Sequence, residues 1–166
     1  MHRIALLMAA SVGSALVPES IGVVGVGTIS SAAVRGLCRS SNAQFVLSPR
    51  NAAKAKALAD EFETVRIATD NQAVVDACDC VLLAVLPGQA EQVCEPLTFR
   101  EGQLVISLMA GVPLSDIQKW CGPAECALAC PLPAIAENAG TTIVTPPEPR
   151  TVAVFEKLGT AVPVAT

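Results

Sequence analysis

The stretch Ile21-Gly22-Val23-Val24-Gly25-Val26-Gly27-Thr28-Ile29-Ser30 decides how this chain is read. Ile21 to Val24 has the continuous apolar character of a strand covered on both faces, as parallel strands are. Gly25 then allows a tight turn, and Gly27 lets the backbone approach a phosphate with no side chain between. Ser30 stands where a third small residue lets a helix pack closely on the strand. Thr28 to Cys38 follows with helical patterning, so its first turn offers free N–H groups and a positive dipole end to an anion. A glycine-rich turn alone is a weak sign. Its place between a first strand and a helix makes it a dinucleotide-binding fingerprint.

Outward from this stretch, strand-like and helix-like runs alternate to the end of the chain. Strands are expected at 45–47, 65–68, 80–85, 104–108, 126–130, 142–145 and 161–164, and helices at 51–62, 89–95, 114–120 and 149–158. A further short helix opens on an Asp70 cap and runs to about Ala77. The alternation specifies an α/β fold with a doubly wound, mostly parallel sheet and helices on both faces. Residues 21–166 read as one domain.

Composition narrows the function. The 166 residues are 52% hydrophobic, 16% charged and 3% aromatic, with a net charge of −4. So apolar a chain has ample material to offset chain entropy, which excludes disorder. Eleven basic against fifteen acidic residues, with few aromatics for stacking, exclude a nucleic-acid partner. An ordinary soluble domain carries about 25% charged residues, so the apolar excess implies surface that something else covers. Seven cysteines (38, 78, 80, 94, 121, 126 and 130) sit mostly in apolar runs and are read as buried thiols. Their spacing matches no zinc motif, so no metal is expected. Residues 1–20 read as an extension. The apolar run from Ile4 to Val17 has signal-peptide features and is too short to span a bilayer, so no membrane partner is expected.

The end of the second strand chooses the nucleotide. NAD sites usually place a carboxylate there for the ribose hydroxyls, whereas here the run is Leu47-Ser48-Pro49-Arg50-Asn51. Nothing repels a 2′-phosphate; Ser48 can donate to it and Arg50 can pair with it. NADP (NADPH) is therefore expected ahead of NAD, the plainer alternative being that Arg50 is a solvated loop charge.

With these segments placed, the chain resembles the N-terminal domain of the pyrroline-5-carboxylate reductases. The resemblance runs from Ile21 to Ala165. It rests on IGVVGVGTIS at 21–30 followed by Ala33 and Gly36, SPRNAAKAKALADEF at 48–62, ATDN at 68–71 and VLLAVLP at 81–87. VISLMAGV at 105–112, followed by a helix with Trp120, and NAGTT at 138–142 complete it. The resemblance implies a Rossmann-like fold and a cofactor held by Gly25, Gly27, Thr28 and Ile29 in the glycine loop, and by Ser48 and Arg50 after the second strand. It adds Asn71 in the third loop, Ala84, Val85 and Pro87 after the fourth strand, and Leu108, Met109 and Ala110 after the fifth. It also implies hydride transfer to a small-molecule cyclic imine, giving proline from pyrroline-5-carboxylate, a cytoplasmic location and a homo-oligomer formed through a helical C-terminal domain. The sequence ends at Thr166, where that domain is expected to begin, so little turnover is expected of these residues alone.

Departures from the family pattern gather near the reacting end. Thr28-Ile29 replaces Asn-Met, Leu86 replaces a lysine, and Cys130-Pro131-Leu132-Pro133-Ala134 replaces Met-Pro-Asn-Thr-Pro. These point to a divergent branch with a changed imine. No catalytic residue is assigned, because a protonated imine is already electrophilic and the cofactor carries the hydride. Asn138 is expected to be structural. Two alternatives stand beside the imine reductase: another NADP-dependent oxidoreductase of the glycine-loop type, such as a deazaflavin-linked NADP reductase or a β-hydroxyacid dehydrogenase, and a non-catalytic nucleotide-binding module.

Overall fold

The computed structural model describes residues 16–165. Eight strands form one sheet: β1 (Ser20–Val24), β2 (Gln44–Leu47), β3 (Val65–Ile67), β4 (Cys80–Leu83), β5 (Leu104–Ser107), β6 (Glu125–Cys130), β7 (Thr141–Thr145) and β8 (Thr160–Pro163). Among the described residues six α-helices of a turn or more accompany them: α1 (Thr28–Ser40), α2 (Ala52–Glu61), α3 (Asn71–Ala77), α4 (Ala90–Cys94), α5 (Leu114–Cys121) and α6 (Pro149–Glu156). The strand order is β3-β2-β1-β4-β5-β6-β7-β8. Pairing is parallel from β3 through β6. The expected α/β class, doubly wound and mostly parallel, is the observed one.

The period of two along each strand builds two cores. Ile21, Val23, Phe45, Leu82, Leu104 and Ile106 point to one face, where Leu37 of α1, Leu58 of α2 and Phe155 of α6 close over them. Val24, Val46, Val81, Leu83 and Val105 point to the other, against Val74 of α3, Cys94 of α4 and Ile117 of α5. Each fully buried Phe, Leu or Ile contributes about 1.5–3 kcal/mol relative to exposure.

One strand departs from the parallel run, and two local expectations, the length of β4 and the burial of Cys130, are corrected. β7 runs antiparallel to β6. The connection between them holds only a 3-10 helix, Pro133–Glu137, and is too short for the crossover that parallel strands need. β4 ends at Leu83, two residues short of the expected strand, although the Ala84 N–H still donates to the Val24 carbonyl. Cys130, the last residue of β6, is exposed; Cys38 is half-buried and the other five thiols are buried. Burial pushes the Cys78 thiol up to about 11 and that of Cys80 further.

The N-terminal extension expected over residues 1–20 falls outside the described residues as far as residue 15. Its last part belongs to the domain: Val17 packs on the core, and the Glu19 carbonyl accepts from the Gln44 N–H at 2.8 Å. Among the described residues no helix is long and apolar enough to cross a membrane.

Candidate functional site

Neighbours of β1 lead in opposite directions along the sheet, so the carboxyl ends of β1 and β4 form the switch point where open α/β sheets bind ligands. Gly25 leaves β1 there with φ +95°, in the left-handed region. A Cβ at Gly25 would lie 2.7 Å from the carbonyl carbon and oxygen of Ala84 and 2.8 Å from the Val85 nitrogen. Glycine is therefore required twice, by conformation and by the approach of β4.

Four further interactions hold the turn. The Gly25 N–H donates to Ser48 Oγ at 3.0 Å, and Ser30 Oγ donates to the Gly25 carbonyl at 2.8 Å. Ser30 Oγ also accepts from the Gly27 N–H at 2.8 Å. Asn51 Nδ2 donates to the Val26 carbonyl at 3.1 Å, while its Oδ1 accepts from Lys54 N and caps α2. Space beside Gly27 is open: a Cβ there would meet no atom within 4 Å. The N–H groups of Thr28 and Ile29, in the first turn of α1, have no intrahelical acceptor. This cradle fits a pyrophosphate, with backbone donors and a positive helix end facing open space.

Arg50 stands beyond the end of β2, on the other side of the turn. Its Nη1 donates to Gln89 Oε1 at 3.0 Å, and among the described residues no carboxylate lies within ion-pair distance of it. Arg50, Asp70, Asn71, Gln92, Val93 and Leu97 line a cleft of about 550 Å³. Asp70 Oδ1 accepts from Ala73 N at 2.8 Å and caps α3, as the sequence led us to expect. Ser48, expected as a phosphate donor, is 1% exposed, with its oxygen engaged by Gly25. A cleft of about 520 Å³ at the opposite edge, beside Val17, Arg39 and Asn42, is remote from this chemistry.

Every residue named from the sequence lies at or just beyond the carboxyl end of one of the first five strands. Ala84 and Leu108 turn their N–H groups back into the sheet, to Val24 and Leu83 carbonyls at 2.8 Å each. Met109 is buried and its N–H meets Ser107 Oγ at 3.3 Å, whereas Pro87 and Ala110 are exposed. Three contributors escaped the sequence reading: the Ser30 hydroxyl as a clamp, Asn51 as a tie between loop and helix, and Gln89 as the partner of Arg50. Asn51 carried a readable signal, a cap-type residue directly before a helical run. Asn138 is structural, as expected. At φ +53° its Nδ2 donates to the carbonyls of Gly36 at 2.9 Å and Lys157 at 2.7 Å. Among the described residues no group of three His, Cys, Asp or Glu is arranged to hold a metal ion.

Residues 20–111, over half of the chain, match the model of a family described as NADP oxidoreductase, coenzyme F420-dependent. The chain belongs to this family. Within the NADP oxidoreductases it is similar to a pyrroline-5-carboxylate reductase of Pseudomonas aeruginosa, 29% identical over 114 residues, covering 66% of this chain and 41% of the relative. It is 35% identical over 106 residues to the enzyme of the same name from Pasteurella multocida, covering 60% and 38%. The chain thus spans about two fifths of the length of these relatives. The solved pyrroline-5-carboxylate reductase of Coxiella burnetii superposes with a TM-score of 0.77 at 25% identity, over 90% of this chain and 59% of that one. Solved structures that share only the fold hold NADP in some cases and NAD+ in others.

Proposed function

We propose that this chain is the cofactor-binding part of an NADPH-dependent imine reductase that converts pyrroline-5-carboxylate to proline in the cytoplasm, as a homo-oligomer. The observation that carries the cofactor reading is the open cradle at Gly27, with the exposed Arg50 standing beside it without a carboxylate. Gly25, Gly27, Thr28 and Ile29 receive the pyrophosphate, and Arg50 takes the 2′-phosphate as a charge-assisted partner. Ser48 keeps the turn in shape. Asn71 lines the adenosine cleft, and the exits of β4 and β5 (Ala84, Val85, Pro87, Leu108, Met109 and Ala110) flank the nicotinamide end.

When bound, the cofactor supplies a hydride to the imine carbon. The protein's part is orientation and exclusion of water, to which the apolar exits of β4, β5 and β6 are suited. Likeness to two curated pyrroline-5-carboxylate reductases supports the imine substrate. A second reading, hydride exchange between NADP and coenzyme F420, rests on the family's description.

Titration with NADPH and NADH, followed by nicotinamide fluorescence, tests the cofactor. Micromolar binding of NADPH, tighter than that of NADH, is expected, and failure to bind either below millimolar sinks the reading. NADPH oxidation with pyrroline-5-carboxylate, against reduction of NADP by reduced F420, then decides between the two substrates. The assay is run on this chain and on a protein of the relatives' full length.

A further inference from the structure

Arg50 and Gln89 meet across the carboxyl end of β1. β2 and β4 flank β1, Arg50 follows β2, and Gln89 closes a 3-10 turn, Pro87–Gln89, after β4. Both ends of the bridge are anchored. Gln89 N–H donates to the Leu86 carbonyl at 2.8 Å, and Asn51, next to Arg50, is tied to Val26 at 3.1 Å. The acceptor is a neutral amide, so it holds the guanidinium without neutralising it. One of its five N–H groups is used, and the others remain for a ligand. An exposed arginine otherwise loses rotamer freedom when it clamps a phosphate, and prior tethering removes part of that cost. Asp70 lines the same cleft but turns its carboxylate to the end of α3.

We propose that Gln89 is a specificity-determining positioning residue, holding Arg50 over the glycine turn in the place that receives the 2′-phosphate distinguishing NADP from NAD. This rests on the cofactor reading above. The test is a double-mutant cycle read as dissociation constants for NADPH and NADH, with the parent, Gln89→Ala, Gln89→Glu, Arg50→Ala and the Gln89→Ala/Arg50→Ala pair. Gln89→Ala should weaken NADPH about three- to tenfold and leave NADH within about twofold. Gln89→Glu, nearly isosteric and so neutral to folding, should weaken NADPH at least as much, since its carboxylate neutralises Arg50 and repels the phosphate. With Arg50→Ala present, Gln89→Ala should have no further effect. An unchanged NADPH-to-NADH ratio in Gln89→Ala, an equal loss for both cofactors, or a Gln89 effect that persists without Arg50 overturns the proposal. A parent protein that prefers NADH or binds neither cofactor is a separate failure, which removes the cofactor reading itself.

Discussion

The sheet edge over β1 and β2 and the edge over β6 are built on opposite terms. Over β1 and β2, polar side chains fix the backbone: Ser30 and Ser48 hold Gly25, Asn51 holds Val26, and Gln89 holds Arg50. Beyond β6 the residues before the 3-10 helix are Pro131 and Leu132, with Leu132 63% exposed; Leu86, after β4, is 69% exposed. Polar anchoring there comes later, through Asn138, and serves the packing of α1 against the β6–β7 connection. The first region is shaped for a fixed, charged ligand, and the second contributes apolar surface. The two regions are therefore expected to answer differently to substitution: under the proposed function, changes over β1 and β2 should move cofactor affinity, and changes beyond β6 should not.

The largest effect is expected at Gly25. Gly25→Ala places a side chain in the left-handed region and against the Ala84 backbone. A cost of at least about 3 kcal/mol is expected, together with loss of NADPH binding. Thermal melting and fluorescence titration check both, and near-parental values in either would mean that the turn is more plastic than its geometry. Asn138→Ala comes next and probes the other region. It leaves the Gly36 and Lys157 carbonyls without their donor and puts alanine at φ +53°, costing about 2–3 kcal/mol. In the fraction that stays folded, the NADPH dissociation constant should be unchanged; a loss in step with that of Gly25→Ala would erase the contrast.

These two residues also mark how far the sequence could be read. The strand-turn-helix order, the Asp70 cap and the glycine loop follow from local pattern, so the fold and the sheet edge bearing the candidate site were legible. Gly25 was legible because a turn glycine announces itself. The partners of Ser48, Arg50 and Asn138 were not, since each lies 19 or more residues away and depends on sheet order. The direction of β7 was hidden for a related reason. Apolar runs mark a strand whichever way it runs, and only the short 3-10 connection showed that the chain turns back.

A smaller effect belongs to the clamp within the cofactor region. Ser30→Ala removes a donor to the Gly25 carbonyl and an acceptor for the Gly27 N–H, while a methyl group still fits the buried space. The loss should be about 1–2 kcal/mol of stability. NADPH should weaken by several-fold, because a loosened Gly27 must be ordered on binding. Ser30→Thr, which keeps the hydroxyl, should recover part of the affinity. If Ser30→Ala lowers stability and leaves affinity untouched, the hydroxyl serves the fold alone.

The smallest effect, and the sharpest on the contrast, is expected at Leu132. The side chain is largely exposed, so Leu132→Asn should shift stability by less than about 0.5 kcal/mol. The residue lies beyond β6, three strands from β1, whereas the cradle and Arg50 are served by β1, β2 and β4, so NADPH affinity should not change. What should change is the response to the imine. An amide at this position restores hydrogen-bonding capacity to an apolar edge, which favours a polar, carboxylated imine over an uncharged one of the same ring size. Competition between the two imines for the NADPH-loaded protein reads that preference. A drop in NADPH affinity on Leu132→Asn would show that the β6 edge takes part in holding the cofactor, and the division between a cofactor region and an apolar region would then fail at its least perturbing test.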